Sequence, residues 1–591
     1  MKRVIYTLLF ILAIFSSASA APIGEQKARE IALNFFVENT TRTSSPVLEM
    51  EWAGSNLATI NNTTRTSIPS GEESLIYIYN RLDTKGFVVV AGDDKVTKPI
   101  VAFSLNNNFD SRDMPDGAKA ILEGWCKQIA ATREDSSIRP TISSSNFGEE
   151  LYSYETAVWG QSAPFNGLSP THNGQKTPCG CVATAAGIIC KYWEWPHKGE
   201  GTTPEYTYKG DNGLQYIGME NKLGHPYDWS LIKSDYRQAY TKAEGEMVAQ
   251  LLYDLGCAFK MAFGVDGSGA NTTNATGAMM TYFGYSKSAI FLYHSGRSEE
   301  EWNTMLRDNL ADGPVFFRGS SDSGGHAFVL CGCTDENYFK INYGWNGNSN
   351  GWYLLPYIQY YKNQGAAFHL VPDRDGTSTY KDYLILAGGK SNNTTYRGIY
   401  TKETEYSVGH KFDLVYRIYN QGFGAFSGSY CVAHCDKDGD IKEIVWEYSR
   451  SSSPLKSGYS QSGTREVTIK KEVEVGDRLR VFLKSPGSDK WERIVRDGDA
   501  SDVQDEVILC ATPTEVAQSL QLSYNKDSKT MTFNSEQAIQ YSVTNETGSV
   551  VASGKAASFT PTEIDLSTFK AGKYIFSFAS GGEPYKLSVI L

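Results

Sequence analysis

The spacing of hydrophobic positions changes several times along this chain. Near the start Ala28, Ile31, Ala32 and Phe35 recur at helical intervals and predict an amphipathic helix. Leu75-Ile76-Tyr77-Ile78-Tyr79-Asn80 and Gly86-Phe87-Val88-Val89-Val90-Ala91-Gly92 are apolar runs joined by a polar turn, the pattern of a hairpin. Between helix and hairpin, the Ser/Thr/Asn-rich stretch Asn61–Ser70 reads as a loop, and Ser136–Gly148, with Pro140, as an exposed linker open to nicking. From Cys181 to about Trp193 small and apolar residues predict a second helix, stopped by Pro196. Met247–Leu255 predict a third, with Val248, Leu251, Leu252 and Leu255 on one face. Val315–Phe317, Ala327–Leu330, Tyr338–Asn342 and Trp352–Leu355 are short strands set apart by Gly, Asp and Asn.

Beyond about residue 375 the pattern is strand and turn only, with Lys411–Tyr419, Glu466–Lys470 and Arg478–Phe482 as examples, and it ends on Gly572-Lys573-Tyr574-Ile575-Phe576-Ser577-Phe578. Helices first and an antiparallel sheet later make an α+β class, followed by β-sandwich-like segments. The expected divisions are 1–20, 21–147, 148–373, 374–510 and 511–591.

Composition narrows the class. With 40% hydrophobic and 21% charged residues the chain is globular, and its net charge of −11 is spread without a basic stripe. Nucleic acid is therefore not expected as a partner. Lys2 and Arg3 precede the apolar run Val4–Phe15 and the small residues Ala18-Ser19-Ala20, which predicts a cleaved signal peptide over 1–20 and a secreted or cell-surface protein. No later stretch is long enough to insert stably in a membrane.

Ten cysteines are too few for a disulfide scaffold in so long a chain. The close pairs Cys179/Cys181, Cys331/Cys333 and Cys431/Cys435 lack well-spaced third and fourth ligands, so no metal and no cofactor are expected. Gly264–Ala270 has no Walker lysine. Asp436-Lys437-Asp438-Gly439-Asp440 has Ile441 where a calcium loop needs Gly, and reads as a strand-connecting turn.

The candidate chemistry is a thiol. Cys181 opens its helix, where unpaired amides and the helix dipole favour thiolate. Cys179, two residues earlier, lies ahead of that helix and is the weaker candidate. Far downstream, His326 enters an apolar strand through Gly324 and Gly325, which let a substrate backbone approach closely. Asn342 and Trp345 follow it. A cysteine, then a histidine roughly 130–150 residues on, then an Asn near a Trp is the chain order of papain-like peptidases. In those roles Asn342 would accept from the His326 ring, Trp345 would shield that bond, and Gln161 would join the Cys181 amide in an oxyanion hole.

At these residues the sequence resembles the streptopain family of C10-type papain-like cysteine peptidases from bacteria, over roughly residues 25–370. Gly180-Cys181-Val182-Ala183-Thr184-Ala185 is similar to the family's nucleophile helix, Gly324-Gly325-His326-Ala327-Phe328-Val329 to its histidine strand, and Asn342-Tyr343-Gly344-Trp345 to its Asn/Trp turn. Gly160-Gln161-Ser162-Ala163-Pro164-Phe165-Asn166 is similar to the segment that supplies the oxyanion-hole glutamine. The hairpin ending at Asp93 is similar to the inhibitory propeptide. Tyr343 stands where the family usually has Trp, and Asn346 where it has Gly. The resemblance implies that 21–147 is an inhibitory propeptide and 148–373 the peptidase, and that the loop with Ser268 and Gly269 borders the substrate cleft. The end of the chain is somewhat similar to sorting domains of Bacteroidetes secreted proteins, and equally to a plain β accessory domain.

The leading expectation is thus a secreted cysteine endopeptidase made as a self-inhibited zymogen, acting on proteins or peptides, with its own propeptide as intramolecular inhibitor. Two others stay open: a secreted adhesin or glycan-binding protein with an inactive peptidase-like core, and a thiol amidase or transglutaminase-like enzyme.

Overall fold

The computed structural model describes residues 22–40, 45–55, 74–134, 147–294, 297–321, 324–356, 362–391, 394–496 and 502–590. The leader 1–20, the loop 61–70 and all but the end of the linker 136–148 lie outside the described residues. Two compact units are formed. One comprises residues up to 198 with 202–271 and 307–362, and the other comprises 199–201, 272–306 and 363–591.

In the first unit the opening helix is Glu25–Glu38, which buries Ala28, Ala32, Phe35 and Phe36. The hairpin pairs Ile76–Arg81 with Phe87–Ala91, and every residue of the two strands is buried. Burial on both faces explains why these strands read as continuous apolar runs rather than alternating ones. A helix not anticipated from the sequence, Asp116–Glu134, buries Ala118, Ile121, Leu122, Trp125 and Ile129 and lies against the strands Val315–Ser321 and Gly324–Thr334.

One antiparallel sheet runs through the unit. Leu48–Gly54, Ile76–Arg81, Phe87–Ala91 and Ile100–Ser104 lie side by side, followed by Gly351–Leu354, Tyr338–Asn342, Gly324–Thr334 and Val315–Ser321. The N-terminal segment is therefore docked edge to edge on the later one, through Trp352 opposite Phe103 and Tyr353 opposite Ala102. Strand addition of this kind takes its affinity from main-chain hydrogen bonds. Around the joint, Tyr338 Oη donates to the Ile100 carbonyl at 2.7 Å and Trp125 Nε1 to the Leu354 carbonyl at 2.9 Å. Lys98 pairs with Glu336 at 2.6 Å. Gly351 is what allows the close approach: a Cβ there would lie 2.5 Å from the Phe103 carbonyl oxygen and 2.9 Å from the Phe87 ring.

The helix Cys181–Trp193 is buried from Val182 to Cys190 and packs against Gly324–Thr334 and the helix Lys242–Ala258. It ends on Glu194 in the left-handed region, just ahead of Pro196. The neighbouring helix starts well before the expected Met247, because Thr241 and Glu244 form a reciprocal capping box that satisfies its first amides.

The second unit is mostly β. Leu384–Leu386, Lys411–Asn420, Ile399–Thr401 and Ser460–Thr468 form one sheet, and Ile441–Ser449, Ser429–Cys435, Arg478–Lys484, Glu492–Ile494 and Glu506–Ile508 another. They share a core in which Leu414, Tyr416 and Ile418 meet Tyr430, Val432 and Val481. This is the alternation of a two-sheet sandwich. The Asp436 carboxylate accepts from the amides of Asp438, Gly439 and Asp440, so the acidic loop closes a hairpin turn. A last pair of sheets after residue 519 closes over Phe533, Ile539, Val543, Phe576 and Phe578. No helix among the described residues is long and apolar enough to cross a membrane.

Candidate active site

Cys181 heads its helix because the residue before it is glycine. Gly180 has φ +91°, and a Cβ there would lie 2.8 Å from both Met261 Sδ and the Ser268 carbonyl oxygen. The sharp turn sets the sulfur among donors: the amides of Cys181 and Val182 at the helix start, and the Ala327 amide of the histidine strand. Burial outweighs them, and the Asp116 carboxylate adds to it, so the thiol is held above its ordinary value. Some of the Cys181 surface remains open to the cleft; it is the crowding by protein around the sulfur that disfavours the thiolate. Cys179 is buried 3.3 Å from Thr184 Oγ1, with its thiol pushed up to about 12 by burial.

His326 lies opposite Gly319 in the strand hairpin. Its Nδ1 is 3.7 Å from Asp116 Oδ2, while Nε2 is buried with no hydrogen-bond partner among the described residues. Burial depresses the imidazole below its ordinary value, against the opposing charge of Asp116. Thiol and imidazole are therefore both driven toward neutral forms, the reverse of a thiolate–imidazolium pair.

Asn342 is buried at the end of its strand. Its Nδ2 donates to Thr156 Oγ1 and the Ala157 carbonyl, both at 2.9 Å, and its Oδ1 accepts from the Gly344 amide at 3.0 Å. The expected bond to the His326 ring is not formed here; His326 Nδ1 lies instead toward Asp116 Oδ2.

Cys181, His326, Gln161, Trp345, Ser268, Gly269 and Gly325 line one cleft of about 530 Å³. Gly324 stands beside it, where a Cβ would be 3.8 Å from His326 Nε2. Ser268 ties two walls together: its hydroxyl donates to the Pro178 carbonyl at 2.7 Å and accepts from the Gly264 amide at 3.2 Å.

Several residues of this site escaped sequence reasoning, most of them from the N-terminal segment. Asp116 faces His326. Asp113 accepts from Trp345 Nε1 at 3.1 Å and from Asn348 Nδ2 at 2.7 Å. Pro115, Asp116 and Gly117 also line the cleft. Pro115-Asp116 ahead of Ala118, Ile121, Trp125 and Ile129 did carry a helix-start signal. Nothing local says what that helix start would touch.

With this geometry in view, the comparisons with known proteins define a class. Residues 159–353 match the Peptidase C10 family and residues 20–129 match the Spi protease inhibitor family. The chain thus carries a C10 peptidase domain preceded by a Spi inhibitor domain, the make-up of a self-inhibited zymogen. Among particular proteins, the thiol protease/hemagglutinin PrtT of Porphyromonas gingivalis is 29% identical over 60% of this chain and 41% of its own length. The chain thus spans less than half of that relative. Streptopain of Streptococcus pyogenes is 28% identical over 48% of this chain and 74% of its own length. A solved fragment of Prevotella intermedia prointerpain A aligns at 25% identity with a TM-score of 0.44, over 55% of this chain and 99% of that one. The family matches fall on the peptidase and its inhibitor, and none favours the adhesin reading.

Proposed function

We propose that this protein is a secreted cysteine endopeptidase whose propeptide covers the catalytic cleft until it is cut away. The observation that carries the reading is one cleft lined by Cys181, His326 and Gln161 and, from the N-terminal segment of the same chain, by Pro115, Asp116 and Gly117.

In the mature enzyme Asp116 and the covering helix are gone, so the helix-start amides and an imidazolium at His326 favour the Cys181 thiolate. The sulfur attacks the peptide carbonyl carbon, and the negative charge passes to its oxygen. The Gln161 amide and the Cys181 N–H donate to that oxyanion. As the C–N bond breaks, His326 gives its proton to the departing amine. Water, deprotonated by His326, then cleaves the thioester. Asn342 Oδ1 has a second lone pair beyond the one used by Gly344. It accepts from the imidazole once the ring is released from Asp116, and Trp345 shields that contact. Ser268 and Gly269 form a substrate wall, while Gly324 and Gly325 leave room for substrate backbone.

Export follows from the leader pattern over 1–20, and the maturation cut falls near residues 136–150. The experiment is expression of the full chain and of Cys181→Ala. The wild type shortens by the propeptide, and the variant stays full length. Normal self-processing of Cys181→Ala would rule out the nucleophile.

A further inference from the structure

The contact of Asp113 with the peptidase does more than cover the cleft. Its two carboxylate oxygens are divided between two neutral donors on one turn: Oδ1 takes the Trp345 indole N–H and Oδ2 the Asn348 amide. That turn is also held by bonds within the peptidase itself. The Asn346 amide donates to the Trp159 carbonyl at 2.8 Å, the Asn348 amide N–H to the Trp345 carbonyl at 3.0 Å, and the Tyr343 amide to Asn350 Oδ1 at 3.1 Å. Donors held in place before the ligand arrives lose little entropy on binding it. When the propeptide leaves, both donors lose their acceptor, and Trp345 lines the cleft together with His326. Hydrogen bonds from such donors to a carboxylate are stronger than those to a neutral amide.

The geometry points to a carboxylate-binding subsite made of Trp345 Nε1 and Asn348 Nδ2, which selects substrates with Asp or Glu on the leaving-group side of the scissile bond. The side follows from the mechanism, since the departing amine takes its proton from His326, the ring next to this turn. Asp113 then inhibits by occupying the place of a substrate carboxylate. The inference rests on the peptidase reading above and adds a substrate class to it.

The test uses mature enzyme released by the full chain's own processing. Internally quenched peptides of one sequence carry Asp, Glu, Asn, Gln, Ala or Lys at each of the first three positions after the scissile bond. At one of these positions kcat/KM for the acidic residue is expected to exceed that for its neutral isostere by about tenfold. Asn348→Ala brings the ratio toward one, and Asn348→Asp inverts it in favour of Lys. Equal rates for Asp and Asn at all three positions in the wild type would overturn the subsite while leaving the peptidase reading standing. So would an acidic preference that survives Asn348→Asp. If none of the peptides is cut by any form of the enzyme, the peptidase reading fails and the subsite with it.

Discussion

Cys181 shows how little separates a reactive thiol from an inert one. In the full-length chain the helix-start amides favour the thiolate, and burial and the Asp116 charge oppose them. At Cys179 burial outweighs the Thr184 hydroxyl and the residue's own amide, and the thiol is pushed up to about 12. At this scale Gln161 offers a clean prediction. If its amide donates only to the oxyanion, Gln161→Ala lowers kcat by about 100–1,000-fold with KM little changed. A rise in KM with kcat unchanged, measured in steady-state peptide cleavage, would make it a ground-state contact instead.

At the scale of elements, latency depends on the strand joint as well as on the cleft. Gly351 touches no catalytic group, yet a side chain there collides with the propeptide strand at Phe103 and with the Phe87 ring. Gly351→Val is therefore expected to loosen the propeptide and speed maturation, seen as a shorter lag before full-length protein disappears on a gel. An unchanged lag would mean that the cleft contacts hold the propeptide without help from the sheet. The elements were largely legible in the sequence, because the helix Cys181–Trp193 and the paired strands carry their own periodicity and stop signals. Cys181 and His326 stood out as candidates for the same reason, each lying in a distinctive local context, and they line one cleft. What was not legible is what depends on tertiary meeting: the Asp116 approach to His326, the Asp113 bridge, and the donation of Asn342 Nδ2 to Thr156 and Ala157. A residue's partners across a fold leave no trace in its neighbours along the chain.

The molecule as a whole combines a peptidase carrying its own inhibitor with a β-rich unit that has its own acid-sensitive group. His294 is buried, and burial lowers its pKa from 6.5 to about 4. The unfolded chain therefore binds more protons between those two values, and stability falls as pH drops through that window, by up to about 3 kcal/mol. Denaturant unfolding at pH 6.5 and pH 4 checks this, and His294→Phe should flatten the difference. If the slope is unchanged in that variant, the acid sensitivity belongs to other groups. The central claim is that one thiol is held latent by the propeptide and released by its removal. The most direct test is the pH dependence of Cys181 alkylation in a partly matured sample, with full-length and mature species resolved by mass. The mature form should react well below the free-thiol pKa of about 8.5, and the full-length form only above it. Identical pH dependence in the two species, or a Cys181 that stays unmodified in the mature one, would contradict the account.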